Sequence, residues 1–493
     1  MKRIICFLLA VMMLITLVAC GNTPDDNVDE STKGEETTAP VIAEKIPAEK
    51  YDGVFKAGYA SVDITPTKLP IAKKSGGSYK KVQDKLYATC VAVNDGKNTA
   101  LLITVDVTSI GNDICENFKK YITNATKVPA ENIIISATHT HTAPSPGLPK
   151  GDTASIRWLA DLNTAMANVA KEAIADLSDA EIHNGTTEVK GMAFVRRGYS
   201  ADGTPAGIWR QKSTNDFVRY ESEADNSIQI IRFVRADKKD ILMANLQTHF
   251  TEAGNYITDT ISSDLAGVIK GVVEIEDEDA LFAVYVGASG NINTVAYVEG
   301  TKVFGNYSKM GKAVAEAIVA TPLTKVEAGT IQTTEKQVKT NVRKEDDETV
   351  KKAQQAQAEI EALNAYDGDA EVYAIAAKYG FESAKEVSFT VSRNTGYDAT
   401  RKHTIIGISF GDLAFVAVPY EMFDTNGMEV KNGSPFNMTF VITNAGGAGA
   451  YVPSALAVPN GGYEVYTAVD EFGTGEKMVS EYLAILREHK GIK

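Results

Sequence analysis

Apolar residues along this chain gather into short solid runs separated by polar turns. Val91–Val93 and Leu101–Val105 flank Asn94-Asp95-Gly96, which predicts two strands joined by a hairpin. Ile133–Ser136 reads as a buried strand, as do 227–234, 240–247 and 282–287. Solid runs of this length suit strands covered on both faces. Between them the period lengthens. Residues 112–126 and 304–320 predict helices. Residues 153–178 predict a long amphipathic helix, with Ile156, Leu159, Leu162, Met166 and Val169 near helical spacing. Such alternation predicts an α/β domain. Residues 344–383 break the rhythm. They are charged, Ala-rich and nearly free of β-branched runs, and so predict a helical insertion. Strands are expected again at 386–392, 403–409, 413–418 and 439–443, and a closing helix at 474–488. No internal repeat is visible in the sequence, and no C-terminal β-domain is expected.

The first residues change the picture of where the domain works. Lys2 and Arg3 precede an apolar run from Ile4 to Val18, a secretory-signal pattern too short for a comfortable membrane span. Leu17-Val18-Ala19-Cys20-Gly21 resembles the bacterial lipobox, which implies Cys20 as the lipidated first residue of the mature chain. Residues 21–50 are polar and acidic and read as a disordered tether. The expectation is an exported domain, 51–493, lipid-anchored to the outer face of a bacterial membrane.

Composition then excludes whole classes. Hydrophobic residues make up 44% of the chain, so wholesale disorder is ruled out. The formal charge of −14 disfavours polyanion partners, nucleic acids among them. No Cys-x-x-Cys pair exists, which disfavours thiolate zinc and thiol redox chemistry. Cys90 and Cys115 read either as an oxidised pair or as two buried thiols. No Gly-x-Ser-x-Gly elbow, Gly-x-Gly-x-x-Gly or P-loop is present.

Only six histidines occur, and two lie in Ala137-Thr138-His139-Thr140-His141-Thr142-Ala143-Pro144, directly after a predicted strand. Residues i and i+2 of an extended backbone face the same way, so His139 and His141 can face one cavity. His249 ends the apolar run 241–246, and Glu421 follows the run 413–419. Sites in α/β sheets collect beyond strand carboxyl ends, and neutral imidazoles with a carboxylate suit zinc. His183, His403 and His489 lack such a setting and are given no role.

These segments resemble the catalytic domain of the neutral/alkaline (non-lysosomal) ceramidases, from about Gly58 to Glu464. The resemblance rests on Gly58-Tyr59-Ala60-Ser61-Val62-Asp63-Ile64-Thr65-Pro66, the Ala-Thr-His-Thr-His turn, His249-Phe250-Thr251, Ile261-Ser262-Ser263-Asp264, Pro419-Tyr420-Glu421 and Gly462-Tyr463-Glu464. It implies an α/β fold with a large mixed sheet and flanking helices. It also implies one catalytic zinc held by His139, His249, Glu421 and Tyr451. Tyr451 lies in the glycine-rich stretch 444–453. By the same resemblance His141 lies near the reacting carbonyl, Arg196 contacts substrate (Arg197 if the register slips), and Tyr463 lies near the site. One departure is plain. The family's Gly-Asp-x-Ser-Pro motif is matched here by Gly290-Asn291-Ile292-Asn293-Thr294, so Asn293 stands at the Ser position and no Ser nucleophile is expected. The implied activity is zinc-dependent hydrolysis of a linear amide in an N-acyl lipid or related N-acyl compound. A solute-binding lipoprotein and a zinc esterase or amidase on a non-lipid substrate are the rival readings.

Overall fold

The computed structural model describes residues 51–492 except 52, 74–75, 148–151, 208–216, 256, 295, 299–300, 304–305 and 364–368. The expected signal, Cys20 and the tether lie outside the described residues.

Strand β1 (Lys56–Asp63) pairs antiparallel with β2 (Tyr87–Asn94), which turns into β3 (Thr99–Val105) as the expected hairpin. Asp95 fixes the turn: its Oδ1 accepts from the backbone N–H groups of Lys97 and Asn98 at 2.8 and 2.6 Å. Helix α1 (Asn112–Thr126) then carries the chain to β4 (Ile133–Ala137), parallel to β3. Helix α2 (Thr153–Ala175) ends three residues earlier than its pattern suggests, and β5 (Ser178–Glu188) follows. The hairpin, crossover helix and parallel strand then recur. Strands β6 (Ser227–Arg235) and β7 (Asp240–Leu246), helix α3 (Asp264–Glu276) and β8 (Ala280–Val286) repeat the scheme. Helix α4 (Tyr307–Ala320) and β9 (Gln332–Asn341) come next. The insertion is three helices: α5 (Asp347–Leu363), α6 (Ala370–Lys378) and α7 (Ala384–Gly396). A third ββαβ unit completes the domain: β10 (Thr400–Phe410), β11 (Leu413–Val418), α8 (Asp424–Gly433) and β12 (Met438–Thr443). Short α9 (Tyr463–Thr467) and closing α10 (Thr474–His489) follow. The architecture thus repeats where the sequence does not.

One sheet runs β8-β7-β6-β5-β1-β2-β3-β4, with Thr324–Val326 beside β5, and the second runs β9-β10-β11-β12. Both mix parallel and antiparallel pairs, as the fold class requires. The sheets face each other across one core, in which Val91, Leu102, Phe233 and Tyr285 meet Ile406, Phe415 and Phe440. Helices cover the outer faces: α1 and α2 over one part of the large sheet, α3 and α4 over another, α8 and α10 over the small sheet. Strand β11 explains the solid apolar runs. Leu413, Phe415 and Ala417 face the inter-sheet core while Ala414, Val416 and Val418 face the helices. Among the described residues, no helix is long and apolar enough to cross a membrane.

One expected element is wrong. Residues 386–392 belong to α7, not to a strand. Val387, Phe389 and Val391 alternate as in a strand, but Ser383 caps the helix, its Oγ accepting from the Glu386 N–H at 3.2 Å. The face buried is Val387, Thr390 and Arg393, at helical spacing. The insertion therefore extends to Gly396 and holds its own small core of Ala353, Ala356, Ala376, Phe381 and Val387. Cys90 and Cys115 are both buried free thiols.

Candidate metal centre

The loops that leave the strand ends are stitched to one another by backbone hydrogen bonds. Ala137 N–H donates to Asn444 O at 3.1 Å, Gly446 N–H to Ile135 O at 2.9 Å and His141 N–H to Phe250 O at 3.2 Å. Glu421 and Tyr451 face each other across a two-residue parallel pairing, Glu421–Met422 with Tyr451–Val452. Two glycines make this approach possible. A Cβ at Gly290 would stand 2.5 Å from Glu421 O, and one at Gly449 would stand 2.4 Å from the Tyr420 ring. Only a residue without a side chain fits either place.

His139 sits just beyond β4 in the left-handed backbone region, φ +61°, a conformation strained for a non-glycine residue. Its Nδ1 donates to Thr108 O at 2.7 Å, which leaves Nε2 as the lone-pair nitrogen. That Nε2 lies 3.3 Å from Glu421 Oε2 and 3.1 Å from His141 Nε2. His249 Nε2 lies 3.2 Å from the same Glu421 oxygen. The three imidazoles offer nitrogens within 4.8 Å of one another. His139 and His249 are buried, and His141 closes the group on its open side.

The donor set fits a divalent metal. Four ligands at zinc bond lengths stand about 3.3 Å apart in a tetrahedron, the separation seen between the two Nε2 atoms and the carboxylate oxygen. Burial, then the charge of Arg196, pushes His249 down to about 4, so its ring is neutral and able to ligate near pH 7. Burial alone would raise the Glu421 carboxyl, but His139 and His249 outweigh it and hold it well below the usual range. His249 Nδ1 is buried with no hydrogen-bond partner among the described residues, so only Nε2 has a polar neighbour to answer.

Tyr451 is buried, and its phenol is pushed well above the ordinary value by burial and then by Glu421. The Arg196 guanidinium reaches it, Nη2 donating to Tyr451 Oη at 3.1 Å and to Gly290 O at 2.7 Å. Arg196 Nε donates to Glu464 at 2.6 Å. Arg197 faces away from Tyr451, toward Glu221 at 2.7 Å and the second Glu464 oxygen at 2.8 Å. The geometry therefore places Arg196, not Arg197, against Tyr451. Tyr463 packs edge-on against the Tyr451 ring at 5.7 Å.

Asn293 lies in the pair Ile292–Asn293 with Phe194–Val195, next to Arg196. Its Oδ1 accepts from Thr294 N–H at 2.7 Å, Thr294 Oγ1 at 3.1 Å and Thr251 Oγ1 at 3.4 Å. A backbone N–H can only donate, so the carbonyl side of the amide is fixed and the NH₂ is the side left to serve another acceptor. His183, His403 and His489 lie elsewhere: beside Glu181, against Asp470, and between Thr334 and Ser409.

Reading the sequence missed three contributors. Glu464 is the buried counter-ion of both arginines, and its signal is the adjacent Arg196-Arg197 pair, which cannot be buried without one. Thr108 O orients His139, and Gly290 admits the Glu421 strand; a main-chain carbonyl and a lone glycine leave no local signature.

Comparison with known proteins agrees with this architecture. No protein-family model matches the chain, and no curated protein does. Solved structures do. A neutral ceramidase from Pseudomonas aeruginosa superposes with a TM-score of 0.65 at 14% identity, over 89% of this chain and 75% of that one. The chain has the neutral ceramidase fold. A structure described as ceramidase complexed with C2 gives a TM-score of 0.65 at 13% identity, over 90% and 76%. At such identity the likeness speaks for the fold, and the expected mixed α/β class is met.

Proposed function

We propose that the chain is a zinc-dependent amidohydrolase that cleaves the amide bond of an N-acyl lipid or a related N-acyl compound. The observation that carries this reading is the convergence of His139 Nε2, His249 Nε2 and Glu421 Oε2 at 3.2–3.3 Å, with His141 beside them. The ceramidase fold and the motif order support it. His139, His249 and Glu421 would hold the ion, with Tyr451 as fourth donor. When bound, such an ion lowers the pKa of its water toward about 7 and polarises a carbonyl.

The protein side chains supply the rest. His141 lies well below the ordinary histidine value, through desolvation where its ring packs on the other groups and then through His139 and His249, and so is neutral near pH 7. A neutral imidazole takes the proton from the attacking water and returns it to the leaving amine. Arg196 is pushed above its ordinary value, because Tyr451 and Glu464 outweigh its burial; it stays a cation beside the developing oxyanion. The Asn293 NH₂ donates to substrate where the ceramidases carry Ser. Tyr463 walls the substrate path. The signal and lipobox support export and anchoring through Cys20, which would put the domain at a lipid surface.

The test is a panel of N-acyl lipids and N-acyl amino compounds incubated with metal-loaded protein. Fatty acid release, abolished by a chelator and by Glu421→Gln, is expected. Release that survives both overturns the reading.

A further inference from the structure

A second charged cavity lies apart from the imidazole group. It measures about 240 Å³ and sits between the helical insertion and the stretch 461–466, which carries Tyr463 and Glu464. Two guanidinium groups line it, Arg393 of α7 and Arg343 beyond the end of β9. The Arg393 side chain is 1% exposed; it donates through Nη1 to Tyr466 O and through Nη2 to Glu345 at 3.1 Å. Arg343 donates to the carbonyls of Val465 at 3.1 Å and Tyr466 at 3.2 Å. After these bonds the Arg393 Nε remains buried without a hydrogen-bond acceptor among the described residues, and the Arg343 Nε meets only the Glu345 carboxylate, at 3.5 Å and without a hydrogen bond. A guanidinium keeps its protons and carries donors only, so the missing group is an acceptor.

Three carboxylates share the cavity wall with the two guanidiniums. Glu345 approaches both arginines, 3.1 Å from Arg393 and 3.5 Å from Arg343. Glu382 and Glu386 also line the wall. The Glu386 carboxyl is raised by burial, with Glu382 adding to the rise and Arg343 and Arg393 opposing it, so it too faces both guanidiniums. Arg343 is pushed down to about 10 by burial and then by Arg393, and Arg393 is lowered by burial. Arg196 and Arg197 move the opposite way because Glu464 and its neighbours match them.

We infer that this cavity binds a small oxyanion, a carboxylate or a phosphate, between the Nε–H edges of Arg343 and Arg393. Planar guanidinium edges suit such oxygens. Gly461, Gly462, Val465 and Tyr466 form one wall, so the anion sits behind the segment whose Tyr463 packs on Tyr451. It comes either from an acidic head group of the substrate or from a free anion that braces this segment. The head-group source rests on the hydrolase reading; the binding itself does not.

Inorganic phosphate is titrated calorimetrically into the full chain in wild type, His139→Ala, Arg343→Gln and Arg393→Lys. Wild type and His139→Ala are expected to bind saturably at one site, which sets phosphate on a metal aside. Arg343→Gln is expected to weaken binding by about tenfold or more, and Arg393→Lys, which keeps the charge but loses the planar edge, to weaken it less. No saturable binding, or equal binding in Arg343→Gln, leaves a cavity of water only and overturns the inference. N-acylglycine and N-acylethanolamine of one chain length then separate the sources. A kcat/KM preference for the acid that Arg343→Gln erases assigns the head group; equal rates with phosphate binding intact assign a free anion. Absent hydrolysis with phosphate binding intact overturns the hydrolase reading alone.

Discussion

Two arginine pairs among the described residues are drawn in from solvent, one fully buried and one with Arg343 half-buried, and they are treated differently. Arg196 and Arg197 stand in the wall of the metal centre, where Glu464 bridges them and Glu221 takes the outer edge of Arg197. Arg343 and Arg393 stand under the helical insertion, where Glu345 serves both; Arg393 keeps a buried Nε–H without an acceptor among the described residues, and Arg343 Nε meets Glu345 only at 3.5 Å. A matched buried cation is a fixed wall. Arg196 in this way holds Tyr451 and Gly290 in place with its charge fixed beside the site. An unmatched one is receptive, because any acceptor that enters relieves it.

Removing a carboxylate is the strongest way to break the comparison. Glu464→Gln leaves two guanidiniums buried side by side and is expected to cost about 3–5 kcal/mol of unfolding free energy, read by urea titration. A loss below about 1 kcal/mol would mean that the pair is not tied through Glu464. Gly290→Ala strikes the same wall from the backbone side. Its Cβ meets Glu421 O at 2.5 Å, so a loss of about 1–3 kcal/mol is expected together with lowered activity. Glu345→Gln acts on the other pair. Its side chain is 30% exposed, so about 1 kcal/mol or less is expected, and phosphate should bind several-fold more tightly once its competitor is gone.

A pH-dependent effect concerns a buried carboxyl with no guanidinium beside it among the described residues. Burial pushes Asp106 up to about 7, against a hydrogen bond from Tyr87 N–H. The folded state thus holds the proton more tightly than the unfolded chain. Its stability contribution is full below the unfolded carboxyl range near about 4 and is lost as pH rises through about 7. Melting temperature should fall by a few degrees between about pH 5 and about pH 8 on this account, and Asp106→Asn should flatten that slope.

Much of the architecture was legible because most strands are covered on both faces. Leu413–Val418, Ile133–Ala137 and Asp240–Leu246 alternate between two cores, so their sequences are solid apolar runs. Strands β5 and β9 were not read. Both are largely polar, with buried residues such as Ile182, Val338 and Thr340 scattered among exposed ones, and their pairing partners lie far along the chain. Over α7 the period-two spacing of Val387, Phe389 and Val391 suggests a strand, and the Ser383-Ala384-Lys385-Glu386 cap outweighs it. At the site, His139, His141, His249 and Glu421 were legible as strand-end donors. What joins them was not: the Thr108 carbonyl, the missing side chain of Gly290 and the Glu464 counter-ion act through distant backbone and burial.

The central claim is that His139, His249 and Glu421 form one metal site. Zinc titrated into metal-free protein, followed by calorimetry and elemental analysis, tests it most directly. One equivalent per chain in wild type, lost in His249→Ala and in Glu421→Gln with the fold intact by circular dichroism, is the predicted result. Failure of the wild type to retain zinc, or retention of a full equivalent by both variants, contradicts it.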